Sequence, residues 1–193
     1  MAQLIVSQLI SLDGHLAGPG GDLSRLPMGG SAFDRHNVEL LRRAGTLLFG
    51  RTTFGMFQGY WPQVERDTNA APVQREIASL TRSVRRLVVS DTLKLDGDDP
   101  WHDAEVVRRA DSRARIAQLK ASETRDLLMY GGTQVWQDLY AAGLVDELHL
   151  LIGNVVLGAG VPAFASGVSR PMTLLGQRRL PESEIVALHY RVS

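Results

Sequence analysis

Gly131 and Gly132 follow a short apolar run, Leu127 to Tyr130, and precede Thr133 and an amphipathic segment to Ala142. Two glycines between a buried strand and a helix start let the backbone come close to a ligand. The unpaired N–H groups and dipole of the helix start then favour an anion, commonly a phosphate. Alone, such a pair is more often only a tight turn. Gly50-Arg51-Thr52 repeats the arrangement after Thr46 to Phe49. There Thr52 can cap the next helix while Arg51 grips an oxyanion, or the arginine is merely solvated. Ser90-Asp91-Thr92, at the end of Leu87 to Val89, offers hydroxyls to a ribose or phosphate, or is simply a turn. Two glycine–helix starts at neighbouring strand ends are what a pyrophosphate-bridged dinucleotide would use.

Other chemistries find less support. The five histidines form no HExxH and no helical ligand pair with a carboxylate, so no metal site is expected. The absence of cysteine removes thiolate catalysis, disulfides and cysteine zinc sites. No GxSxG elbow and no GxxxxGK[ST] loop occurs, and the first strand–turn–helix lacks the GxGxxG fingerprint. Lysine plus arginine (21) balances aspartate plus glutamate (21), so no net basic field attracts nucleic acid or anionic lipid. Trp61, Trp101 and Trp136 read as packing residues rather than base-stacking platforms. Asp146 and Glu147, beside the Gly131-Gly132 turn, read as surface or loop anchors more readily than as catalysts. No apolar run approaches the ~18 residues that span a bilayer, and the N-terminus lacks a leader pattern. The expectation is a cytoplasmic protein of one domain, residues 1–193.

The elements that must position these turns alternate. Gln3 to Ser11 reads as a central strand; Ser11 to Gly30 is a long loop rich in glycine and proline, of the kind that is functional or mobile. Ser31 or Asp34 can cap a helix that carries Phe33, Val38, Leu41 and Ala44 at helical spacing and ends at Gly45. Thr46 to Phe49 is a strand, and Tyr60-Trp61-Pro62 opens a polar stretch. A helix near Ala70 to Leu80, a strand Arg86 to Ser90, a short strand Ala104 to Arg108 and a helix Ser112 to Ala121 follow. After the opening stretch, Leu144 to Ile152 is a strand, and Met172 to Arg179 with Glu184 to Val192 form an antiparallel hairpin. This order predicts an α/β fold with a mostly parallel mixed sheet and an antiparallel edge, its ligand site at the carboxyl ends of the strands.

Five segments now carry a family likeness: Ser11-Leu12-Asp13-Gly14, FGRTTF at Phe49 to Phe54, VVSDTL at Val88 to Leu93, YGGTQVWQDL at Tyr130 to Leu139, and GLVDELHLLIGNVVLGAG at Gly143 to Gly160. In this order the chain resembles the dihydrofolate reductase-like superfamily, and within it the reductase domain of the bacterial riboflavin-biosynthesis deaminase/reductase. The resemblance implies a three-layer fold with an eight-stranded, mostly parallel mixed sheet and NADPH as hydride donor. It assigns Gly50, Arg51 and Thr52 to the cofactor phosphates, Ser90 to the 2′-phosphate end, and Gly131, Gly132, Thr133, Gln134 and Val135 to the pyrophosphate. Ala17 and Gly18 fall in the loop over the nicotinamide; Asp91 is an unfavourable neighbour for a phosphate.

The deaminase half, with its HxE and PCxxC motifs, is absent. For the proton donor, Asp34, Asp13 or an ordered water remain open. A ribose phosphate would call for cations, for which Arg25, Arg35 and Arg42 are available. The resemblance implies reduction of 5-amino-6-(5-phosphoribosylamino)uracil or a related heterocycle. A dihydrofolate or pterin reductase and a non-catalytic binding module are the alternatives. A homodimer is expected, through the run Leu148 to Leu157 and the terminal hairpin, unless these are simply central strands.

Overall fold

The computed structural model describes every residue from Met1 to Ser193. The first part of the chain forms β1 (Leu4–Ile10), β2 (His15–Ala17), α1 (Ser31–Arg43), β3 (Ala44–Gly50), α2 (Arg51–Arg66), α3 (Pro72–Ser83) and β4 (Arg85–Val89). Then come β5 (Glu105–Val107), α4 (Arg109–Ser122), β6 (Asp126–Tyr130), α5 (Thr133–Ala141) and β7 (Glu147–Ile152). The chain closes with β8 (Val161–Pro162), β9 (Met172–Arg179) and β10 (Val186–Val192).

Eight strands make one sheet in the order β5-β4-β3-β6-β1-β7-β10-β9. All pairings from β5 to β7 are parallel, and β10 runs antiparallel to both β7 and β9. The expected mixed sheet with its terminal hairpin is therefore present. The apolar run from Leu148 enters β7, between β1 and β10, so its first half is an internal strand of this sheet. Because strand side chains alternate between faces, Leu4, Val6, Leu127, Met129 and Leu148 pack beneath α4 and α5, with Trp136 fully buried among them. Ile5, Leu47, Phe49, Val88 and Leu128 pack on the opposite face against α1, α2 and α3.

The start of α1 differs from expectation. Gly30, not Ser31 or Asp34, occupies the cap position, and no side chain caps the helix. Gly45 does not end it either: α1 stops at Arg43, and the chain is already extended at Ala44. Arg43 then pins this helix end to the sheet, donating to Asp126 at 3.1 Å and to Glu147 at 3.0 Å.

Helix α2 is the largest departure, since it continues through Gly55, Gly59 and Pro62 to Arg66. Glycine and an interior proline both disfavour helix, so local propensity hides it. Tertiary packing decides instead. Phe54 and Phe57 meet Phe49 with ring centroids 5.8 and 5.2 Å apart, and the Gln63 amide donates to the Gly59 carbonyl at 2.7 Å. Thr52 lies inside this helix and does not cap it; Gly50 holds the cap position.

Candidate functional site

The carboxyl ends of β1, β3, β4 and β6 open into one cavity of about 1120 Å³, closed over by the segment after β1. Parallel sheets bind ligands along this edge, where strand ends and helix starts converge. Here the helix starts are those of α2 and α5, set side by side. A Cβ built on Gly132 would lie 3.3 Å from the Gly50 nitrogen and 2.7 Å from Met129 Cε, and Gly132 has φ +62°, so any side chain there is strained and presses on the Gly50 backbone. The Gly132 N–H donates to Thr53 Oγ1 at 3.1 Å, tying one turn to the other. Neither helix has a side-chain cap, and neither carries an acidic residue in its first turn. Free N–H groups and two positive dipole ends thus face one space, an arrangement that suits a pyrophosphate.

The turn after β4 lies at the same end. Ser90 Oγ accepts the N–H groups of Thr92 and Leu93 at 3.2 and 3.0 Å, which leaves its own proton to donate. Arg51 reaches across to Thr92 Oγ1 at 2.8 Å. Asp91 is occupied: it accepts the Arg109 N–H at the start of α4 at 3.0 Å, and its second oxygen lies 3.9 Å from the Arg109 guanidinium. Two guanidinium groups therefore flank the Ser90 turn, and the one nearby acid is paired. Of the residues assigned by resemblance to a cofactor, Ala17, Gly50, Arg51, Thr52 and Ser90 line the cavity, as does the run Gly131 to Val135. Gly18 does not; its N–H turns away to the Asp22 carbonyl at 2.7 Å.

The opposite end is built from side chains. Phe33, Asp34 and Asn37 project from α1, Phe57 and Trp61 from α2, and Leu26 and Met28 from the loop. Asp34 is half-buried without a hydrogen-bond partner, and burial raises its pKa above the usual carboxylate range. Asn37 Oδ1 and Ser7 Oγ are buried on this wall and also lack partners. Unpaired buried polar atoms are costly unless a ligand or water meets them.

Asp13, the other carboxylate considered as proton donor, lies outside the cavity wall. Its oxygens accept the Ser11 hydroxyl at 2.6 Å and the Leu157 and Gly158 N–H groups at 3.0 and 2.7 Å. The Ser11 hydroxyl and then these N–H groups hold its pKa well below the carboxylate range. Asp13 thus clasps two loops together, and its carboxylate does not reach the cavity. Asp146 is likewise an anchor, accepting the Leu4 N–H at 2.7 Å and lying 2.6 Å from Lys120.

Thr53, Ser7 and Asn37 were not foreseen. Thr53 had a signal, since it follows Thr52 at the same turn; nothing in the sequence marks Ser7 or Asn37. Pairing of β7 with β10 also gathers Glu147, His149 and His189, whose potential ligand atoms lie within 4.8 Å of one another, which sequence spacing could not show. Glu147 there accepts hydrogen bonds from Arg43 at 3.0 Å and from His189 at 3.1 Å.

A cleft at the parallel strand ends with two uncapped helix starts beside it defines an α/β fold with an anion-compatible site. Residues 2–184 match the RibD C-terminal domain, and the chain belongs to that family. It is 26% identical over 189 residues to the uncharacterized protein YyaP of Bacillus subtilis (strain 168), covering 97% of this chain and 94% of that one. The fold is shared with a diaminohydroxyphosphoribosylaminopyrimidine deaminase/5-amino-6-(5-phosphoribosylamino)uracil reductase of Thermotoga maritima, at TM-score 0.65 and 14% identity over 100% of this chain and 57% of that one. It is shared also with dihydrofolate reductase from Enterococcus faecalis complexed with NADP(H), at TM-score 0.61 and 12% identity over 99% and 96%. No helix is long and apolar enough to cross a membrane.

Proposed function

We propose that this chain is an NADPH-dependent reductase that delivers hydride to a small nitrogen heterocycle, with chemistry of the riboflavin-pathway reductase type. The observation that carries the reading is the paired, uncapped starts of α2 and α5, held together by Gly50, Gly132 and Thr53. They suit the pyrophosphate; Arg51, Ser90 and Arg109 suit the 2′-phosphate that separates NADPH from NADH.

When bound, the reduced nicotinamide supplies a hydride to carbon and is oxidised as the substrate's C=N or C=O bond is reduced. The chain's own residues place and complete that transfer. The helix starts and Arg51 fix the phosphates, and the loop carrying Ala17, Leu23 and Leu26 excludes water. Asp34, kept protonated to higher pH by burial, passes its proton to the heteroatom at the other end of the reduced bond.

Titration with NADPH and NADH, read by thermal shift and intrinsic fluorescence, tests this. NADPH should bind in the micromolar range and more tightly than NADH. Binding of neither at millimolar concentration overturns the reading. Binding of NADPH without its oxidation by any pyrimidine or pterin supplied would leave a binding module.

A further inference from the structure

The substrate end of the cleft differs from what a phosphoribosyl compound would require. We infer that, if the reductase reading on which this rests is right, the substrate is an uncharged, flat nitrogen heterocycle that carries N–H groups and no phosphate. Three observations converge on it.

First, cations are missing where a substrate phosphate would lie. The cavity wall carries only Arg51 and Arg109, and both flank the Ser90 turn at the other end. The arginines near α1 point elsewhere. Arg25 reaches the Val156 carbonyl at 3.4 Å, Arg35 lies 3.9 Å from Glu182, and Arg42 donates to Glu76 at 2.9 Å.

Second, the start of α1 is a third uncapped helix start near this cavity, and it alone of the three carries an acid, Asp34, in its first turn. An acid there occupies the dipole end that would otherwise hold an anion, and in its ionised form it repels a phosphate dianion.

Third, Asn37 Oδ1 and Ser7 Oγ are buried at this end without partners, and the Asp34 carboxyl beside them is half-buried; the Asn37 carbonyl in particular calls for an N–H donor. Around them Phe33, Phe57 and Trp61 give an aromatic, largely apolar wall suited to a flat ring.

The test measures binding by calorimetry to the protein saturated with NADPH. The probes are 5-amino-6-(ribosylamino)uracil, its 5′-phosphate, and the free base 5,6-diaminouracil. On the alkaline side of the Asp34 titration, where the carboxyl is ionised, the phosphate-free forms should bind at least tenfold more tightly than the 5′-phosphate, and D34N should narrow that ratio by relieving repulsion even as it weakens all three probes. A 5′-phosphate that binds as well as or better than its nucleoside overturns the inference. So does failure of all three probes while NADPH still binds, because the heterocycle class is then wrong. Failure of NADPH itself strikes the reductase reading rather than the choice of substrate.

Discussion

At one end of the cleft the backbone faces the cavity; at the other, side chains do. The α2 and α5 starts present N–H groups, and beyond the Thr53 hydroxyl that ties them together they need the absence of a side chain at Gly132. The α1 start presents Asp34, with Asn37 one turn along and Ser7 on the neighbouring strand. All three helix starts are uncapped, so the dipole is common to them. What separates an anion seat from an acid's seat is a single residue type in the first turn. The same backbone device serves opposite charges within one cavity, and the surrounding cations follow suit: Arg51 and Arg109 stand beside the first, none beside the second.

The comparison breaks most visibly at Gly132. Gly132→Ala places a Cβ against Met129 and Gly50 at φ +62°, and we expect it to cost about 3 kcal/mol of stability in urea denaturation, with NADPH binding lost. Unchanged binding would show that the two helix starts need not touch.

At the acid end, Asp34→Asn should lower kcat about 10²-fold with little change in NADPH affinity. Burial raises the Asp34 pKa, so wild-type activity falls as pH rises through that value, and the variant loses this alkaline limb. A variant with the wild-type profile would move the proton donor to another group.

A third measurement asks whether the two ends fail separately on acidification. His36, on α1, is pushed down from 6.5 to about 4, by burial first and then by His149 and Arg178. A histidine held neutral by the fold stabilises it fully above pH ~6.5, and that contribution, on the order of 2 kcal/mol, is lost as pH falls toward about 4. Hydrogen exchange across this window should show α1 amides opening before those of α2 and α5. His36→Gln should flatten the dependence.

The smallest effect concerns the choice of nucleotide. Arg51→Ala should raise the Kd for NADPH about tenfold and leave that for NADH nearly unchanged. Equal losses for both would assign Arg51 to the pyrophosphate instead.

Much of the frame was legible from one sequence because it is written locally. Apolar runs of strand length, glycines at their ends and amphipathic segments after them place β1, β3, β4, β6, α5 and β7 within a few residues of their observed bounds. Of helix α2 only the start after Gly50 was legible, because two glycines and a proline oppose helix locally and only the packing of Phe54 and Phe57 on Phe49 overrides them.

By itself, then, the sequence determined the order of the eight strands of the main sheet, the glycine turns and the family, since each rests on residue types and short spacings. Tertiary structure alone decided which charges face the cleft. Asp13 looked like Asp34 until Leu157 and Gly158 closed on it from the far side of the chain. Arg25 and Arg42 looked available until the Val156 carbonyl and Glu76 engaged them. A backbone N–H is displayed by local geometry, whereas a side chain's partner is chosen by whatever distant segment the fold brings beside it.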